Sequence, residues 1–233
     1  MKIGVVIADK DEFRIFEDFF KKNDSKPYSF MGRRGEKVTI NVDGKSAEIL
    51  FLLCGIGKVN AAVAAMHLAD NGYDIILNCG LSGGIRDISR GEICLPDRFL
   101  EHDFDLTALG YSPCEKPGQE YIYSADKDLM EVFLKKFPSA KVGTAVSGDH
   151  FICRDSENRE MLKNDFLAMS CDMESAAIAY VCAFSSIPFL SFRRISDDAG
   201  EDAVATYTEM NTADDTDLAD IMIGFIEAYL KQL

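Results

Sequence analysis

Three carboxylates stand where an α/β enzyme would do acid–base work. Glu174, in Cys171-Asp172-Met173-Glu174-Ser175-Ala176, falls where an apolar strand gives way to an alanine-rich helix, and Asp197, in Arg194-Ile195-Ser196-Asp197-Asp198, falls just past the next apolar strand. Glu12 opens the helix that follows the first strand. Ligand crevices in open α/β sheets lie outside the carboxyl ends of the strands, so acids from three separate segments are expected to converge there. Paired carboxylates whose environments push them apart serve general acid–base chemistry. Taken singly, each has a plainer role. An acidic residue in a first helical turn complements the helix dipole by roughly 0.3–1 kcal/mol, which suits Glu12 and Glu174, and Asp197 reads equally as a loop cap in Ser-Asp-Asp-Ala-Gly.

Other segments carry weaker signals. Gly80-Leu81-Ser82-Gly83-Gly84 reads as a glycine-rich turn whose backbone N–H groups could face a ligand, or simply as a tight strand-to-helix connection. Gly55-Ile56-Gly57-Lys58 lacks the first half of a Walker A loop. Ser147-Gly148-Asp149-His150-Phe151-Ile152 follows a strand; Phe151 could stack on a flat heterocycle or be core. Nothing resembles a Gly-x-Ser-x-Gly elbow or a cysteine with a positioned histidine, which disfavours covalent acyl chemistry. The seven cysteines include no Cys-x-x-Cys pair and lie mostly in apolar stretches, as reduced core residues do, while the three histidines are spread singly, so no metal site is expected.

The elements that must position these acids follow from periodicity. Residues 2–8 read as a buried strand and 11–22 as a helix with Phe13, Phe16 and Phe20 on one face. Runs at 36–42 and 46–53 flank Asp43-Gly44, a strong hairpin signal. Beyond them we expect a helix at 58–70, strands at 74–79 and near 91–99, a helix at 127–136, a strand at 141–147, a helix at 156–164, a strand at 167–172, a helix at 174–184, a strand at 188–195 and a last helix at 213–231. The alternation predicts a three-layer α/β/α sandwich, and the hairpin makes its central sheet mixed. Residues 101–124 lack periodicity, and so long an irregular segment is usually functional or an interface.

Composition narrows the classes. With 233 residues, 47% of them hydrophobic, and with no linker or internal repeat, the chain fits one domain spanning 1–233. A net charge of −14 opposes nucleic acid and anionic membrane as partners. The N-terminus carries too short an apolar run for a signal peptide and no run reaches transmembrane length, so a cytoplasmic protein is expected.

In their order along the chain these segments resemble the 5′-methylthioadenosine/S-adenosylhomocysteine nucleosidases of the purine nucleoside and uridine phosphorylase superfamily. The resemblance runs through Met1-Lys2-Ile3-Gly4 with Glu12, Gly55-Ile56-Gly57-Lys58-Val59, Asn78-Cys79-Gly80-Leu81-Ser82-Gly83-Gly84, the stretch from His102 to Tyr111, Ser147 to Ile152, Asp172-Met173-Glu174, and Arg193-Arg194-Ile195-Ser196-Asp197. It implies a nucleoside phosphorylase-like fold and a cofactor-free hydrolysis of an N-ribosidic bond that releases adenine, a methionine-salvage step. Asp197, helped by Ser196, would protonate the leaving purine; Glu12 would activate water; Glu174 and Met173 would hold the ribose; Phe151 and Ile152 would take the base. Ser82, Gly83, Asp172, Arg193 and Tyr207 fall among the implied substrate-binding positions. Leu106, Leu109, Tyr111 and Pro117 match the stretch that covers the 5′ substituent across a homodimer interface. The chain departs from the family pattern around the ribose and 5′ pocket: Ile7, Asp9 and Lys10 replace small or apolar residues, Leu81 a small or hydroxylated one, Asp172 a glutamate, Leu109 an aromatic and Tyr207 a phenylalanine. Alternatives are a hydrolase of another purine nucleoside, such as futalosine, a phosphate-dependent phosphorylase using Arg86, Arg193 or Arg194, and a non-catalytic nucleoside-binding protein.

Overall fold

The computed structural model describes residues 1–153, 159–200, 202–212 and 217–233. Strand β1 (Lys2–Ile7) leads to α1 (Lys10–Arg14) and α2 (Glu17–Lys22), then β2 (Lys26–Phe30), β3 (Arg33–Val42), β4 (Lys45–Leu53) and α3 (Lys58–Asp70). There follow β5 (Ile75–Gly84), β6 (Ile93–Glu101), a 3₁₀ turn at Thr107–Leu109, β7 (Ile122–Ser124), α4 (Lys127–Lys136) and β8 (Lys141–Ser147). The chain ends with α5 (Arg159–Asn164), β9 (Ala168–Asp172), α6 (Ser175–Ser185), β10 (Phe189–Asp197), α7 (Ala203–Thr212) and α8 (Leu218–Gln232). Residues 156–158 and 213–216, where two of the expected helices begin, lie outside the described residues.

The central sheet is mixed, as the hairpin predicts. β1 runs parallel to β4 and β5, whereas β2, β3 and β4 form an antiparallel meander turned by Met31-Gly32 and Asp43-Gly44. Both pairs have positive φ at both residues (48° and 73°, 49° and 81°), the twist that two-residue hairpins need. β1 and β5 are buried along nearly their whole length because helices cover the sheet, α3 packing with α6 and α8 lying against β3, β4 and β5. At its other end the sheet curls on itself: β5 pairs with both β9 and β10, and β10, β6, β8 and β9 complete the ring.

Two expectations need correction. Gly80–Gly84 is no turn; it continues β5 as a ten-residue strand. After Asn78, β5 leaves β1 and pairs with β9, while it stays beside β10. Its glycines are sites of close approach, for a Cβ on Gly80 would meet Arg193 Nη1 at 2.6 Å and the two Glu12 oxygens at 2.8 and 2.9 Å. The helix expected over 11–22 breaks at Ile15-Phe16, where Phe16 N donates to Phe13 O at 3.2 Å. That tighter turn sets Phe13, Phe16 and Phe20 together against Phe51 in the core. Edge strand β2, with Pro27 in it, the short β7 and helix α7 carry too little apolar periodicity to be read from the sequence.

Candidate active site

β1, β5, β9 and β10 all end at one crevice of about 180 Å³. Glu12, Glu174 and Asp197 line it together with Ser82, Gly83, Phe151, Ile152, Asp172, Met173, Ser196 and Tyr207. Each acid arrives by a different device. Asp9 caps α1, its carboxylate accepting Asp11 N at 2.8 Å, and the first turn of that helix carries Glu12 inward. Asp172, the last residue of β9, accepts from the Glu174 and Ser175 amides at 3.0 Å each and so fixes the entry of α6 that presents Glu174. A β-bulge between Ile195 and Asp197 shifts the register of β10 against β5 and re-aims the strand end.

All three acids are at least nine-tenths buried, and their partners differ. Glu12 Oε1 accepts Leu81 N at 2.7 Å. Burial pushes its carboxyl up to about 7, with the Arg193 charge and the Leu81 bond pulling the other way and Glu174 and Asp9 adding to the rise. Glu174 Oε1 accepts Gly57 N at 3.0 Å, at the start of α3, while Oε2 lies 3.7 Å from Arg193; burial again raises the pKa, against the pull of Arg193. Asp197 is raised by burial too, although Ser196 Oγ donates to Oδ2 at 2.6 Å and Ala199 N to Oδ1 at 2.8 Å. The adjacent like charge is Asp198, so neither Glu12 nor Glu174 is what raises it.

Two of the residues implied as substrate contacts, Arg193 and Asp172, are engaged with other groups of the protein. Arg193 is 1% exposed and stands behind the crevice, outside its lining. Its Nη2 donates to Asn78 Oδ1 at 2.7 Å, its Nε lies 3.2 Å from Asp172 Oδ2, and its charge offsets Glu12, Asp172 and Glu174 at once. Asp172 touches the crevice, but Oδ1 accepts Ser147 Oγ at 2.5 Å besides the two amides. Burial pushes its pKa up, yet Arg193 and those bonds outweigh that and hold it below the ordinary carboxylate range.

At the opposite wall, Phe151 and Tyr207 meet edge to face with centroids 5.5 Å apart, and Phe151 keeps 37% of its surface exposed, as a stacking face for a flat base requires. Leu106, Leu109, Tyr111 and Pro117 lie outside the crevice, on the outer surface or half-buried beneath it. Sequence reasoning gave no role to Asn78, which accepts from Arg193 and from Ser191 Oγ (2.9 Å) while its own amide donates to Val6 O (2.9 Å). A lone polar residue within the apolar run Ile75-Ile76-Leu77 was the available signal. Among the described residues no group of His, Cys, Asp and Glu has metal-holding geometry, and no helix is long and apolar enough to cross a membrane.

Comparison with known proteins identifies the family to which this fold belongs. The family model of the Phosphorylase superfamily matches residues 2–231. The 5′-methylthioadenosine/S-adenosylhomocysteine nucleosidase of Staphylococcus carnosus is 34% identical over 214 residues, covering 89% of this chain and 91% of its own. The crystal structure of the Streptococcus pneumoniae nucleosidase in complex with 8-aminoadenine superposes with a TM-score of 0.86 at 26% identity, covering 98% of this chain and all of that one. Futalosine hydrolase of Helicobacter pylori, at 23% identity and a TM-score of 0.87 over 100% of this chain and 98% of its own, has the same fold. The chain therefore belongs to the phosphorylase superfamily and, within it, to the 5′-methylthioadenosine/S-adenosylhomocysteine nucleosidase family.

Proposed function

We propose that this chain hydrolyses the N-ribosidic bond of 5′-thio-substituted adenosines, the 5′-methylthioadenosine and S-adenosylhomocysteine of its relatives' names, and releases adenine. One observation carries the reading: three buried carboxylates with three different sets of partners converge on one crevice that also holds an aromatic face. Asp197 is the general acid. Protonating the leaving purine lowers the barrier to a ribosyl cation-like transition state, and burial keeps a proton on this carboxyl at higher pH than usual. Glu12, raised to about 7, is a base poised near working pH and polarises the attacking water. Glu174, with Met173 beside it, holds the ribose hydroxyls, and Phe151 with the Ile152 backbone takes the base. Ser82, Gly83, Ser196 and Tyr207 complete the wall, while Asp172 and Arg193 act through the acids rather than on the nucleoside.

Hydrolysis is favoured over phosphorolysis because no lysine or arginine is among the described residues lining the crevice, and a phosphate there would face Glu12 and Asp9. The active unit is a homodimer. Exposed apolar side chains on α3 and α6 (Val59, Val63, Met66, Tyr180 and Phe184) and at Leu109 and Tyr111 support a subunit contact over these elements. The net charge of −14 disfavours nucleic acid as a partner, and the site of action is the cytoplasm.

The test is base release followed by chromatography from 5′-methylthioadenosine, S-adenosylhomocysteine, futalosine and ordinary purine nucleosides, each with and without phosphate. Adenine and free sugar from the thioadenosines without phosphate are expected. Faster release from futalosine, strict phosphate dependence, or binding without any base release would each replace this reading by a named rival.

A further inference from the structure

Lys58, the first residue of α3, does not line the crevice, yet both its backbone and its side chain are bound. Lys58 N donates to Asp149 Oδ1 at 2.8 Å, Asp149 N donates to Asp103 Oδ2 at 2.9 Å, and Asp103 Oδ1 accepts from Lys58 Nζ. Three residues, one opening α3, one after β6 and one after β8, thus close a ring of hydrogen bonds. Lys58 Nζ also donates to Glu101 Oε2 at 3.0 Å, and Glu101 is held in turn by Lys116. The Lys58 and Glu101 side chains are only 16% and 15% exposed, so salt screens them less than a surface pair. Burial pushes the Glu101 and Asp103 carboxyls up, but their bonds to Lys58, Lys116 and the Asp149 amide outweigh it and hold both below the ordinary range.

The ring encloses a backbone turn that touches the site. Gly57 N donates to Glu174 Oε1 at 3.0 Å, while the next amide, Lys58 N, is taken by Asp149. The two amides flanking the Gly57 Cα are therefore aimed at two different carboxylates. Gly57 has φ of 99° and no side chain of its own to cap α3, and a Cβ there would stand 3.0 Å from Asp149 Oδ1, so glycine allows this close approach. Glu174 itself faces Arg193 on β10, Asp172 at the end of β9, Glu12 on α1, Cys54 after β4 and Tyr207 on α7. Burial lifts its carboxyl to about 7; Arg193 pulls it down, Asp172 pushes it up, and the Gly57 and Met173 amides favour the ionised form.

Resting on the nucleosidase reading, we propose that Lys58 is a positioning residue: through Asp103 and Asp149 it holds the Gly57 amide on Glu174 and so keeps Glu174 an acceptor for the ribose hydroxyls. An ionised carboxylate accepts from both hydroxyls, whereas a protonated one turns an oxygen into a donor. Glu101, Asp103 and Lys116 lie outside the crevice lining, and the irregular 101–124 segment takes part in the site through them.

The test measures kcat/KM for 5′-methylthioadenosine from about pH 5.5 to about pH 9 in the wild type, Lys58→Met, Lys58→Arg and Asp103→Ala. With the Gly57 bond loosened, Glu174 takes up its proton at higher pH. Lys58→Met should then lose about threefold at about pH 6, through KM, and match the wild type at about pH 8.5, with Lys58→Arg recovering most of the loss. Asp103→Ala should shift the profile in the same direction, which separates positioning from charge, because removing an anion by itself would lower the Glu174 midpoint. An equal fall at every pH means that Lys58 only supports the fold and overturns the proposal; so does an unchanged profile, or opposite shifts in Lys58→Met and Asp103→Ala. If the wild type releases base from no nucleoside, the nucleosidase reading fails, and NMR titration of carboxyl-labelled glutamates decides the positioning role separately, with the Glu174 signal assigned by its loss in Glu174→Gln. A higher Glu174 midpoint in both Lys58→Met and Asp103→Ala supports it; an equal or lower midpoint in either overturns it.

Discussion

Replacing Glu12 by glutamine should stop turnover and make the protein more stable at alkaline pH. Glu12 is 8% exposed, and its charge is offset in part by Arg193, which Asp172 and Glu174 share. The result is a carboxyl raised from 4.5 to about 7. A folded-state value above the unfolded one means that the native protein binds the proton more tightly. The stabilisation from this group is therefore complete below about 4.5 and is lost as pH rises through about 7. At 1.36 kcal/mol per unit, the window is worth about 3 kcal/mol. Glutamine keeps an oxygen for Leu81 N, now 2.7 Å from Glu12 Oε1, and never ionises. Urea unfolding of both proteins from pH 5 to pH 8 should show the variant gaining about 2 to 3 kcal/mol on the wild type across that range, with titrating groups remote from Glu12 cancelling in the difference. The same variant should lose the base that activates water, a fall of about 10²- to 10⁴-fold in kcat. Parallel stability profiles would refute the buried-charge argument, and full turnover would remove Glu12 from the chemistry.

Asp197→Asn should retain the fold, because the asparagine oxygen can still accept Ala199 N while the Ser196 hydroxyl, already 3.2 Å from Ser82 O, turns to that carbonyl. Turnover should fall by about 10²- to 10⁴-fold while calorimetry still detects nucleoside binding; kcat close to that of the wild type would sink the general-acid assignment. Gly80→Ala puts a methyl 2.6 Å from Arg193 Nη1 and within 2.9 Å of the Glu12 oxygens, groups too tightly held to swing away, so we expect about 1–3 kcal/mol of destabilisation in thermal melts and a loss of activity. Gly44→Ala meets nothing within 4 Å and strains only a turn of φ 81°, so it should cost stability alone; equal activities of the two variants would contradict the close-approach reading.

The legible parts of the fold are those in which one local signal dominates. Helices at 58–70 and 127–136 and the strand at 141–147 match their expected bounds because apolar runs there are closed by Gly72, Asp126 and Ser147. Asp43-Gly44 turns its hairpin because both residues accept positive φ. Gly80–Gly84 misled for the converse reason. Glycine marks a turn and a close approach alike, and what distinguishes them here is Arg193, more than a hundred residues later in the chain. Helix α7, which carries Tyr207 to the crevice wall, follows no clean apolar period because it is mostly exposed and packs on β10 and α1.

By itself the sequence determined that Glu12, Glu174 and Asp197 stand at strand-to-helix junctions, and that such junctions in a sheet covered by helices open on a common edge. That follows from periodicity and chain direction, which are local. The ionisation of the acids and the shape of what they face were decided only by tertiary structure. A carboxyl near neutrality needs burial, and burial depends on β5 curling from β1 to β9, on a bulge in β10 and on one arginine shared among three carboxylates. Those contacts join residues far apart in the chain, and desolvation belongs to the assembled cavity rather than to any segment of it.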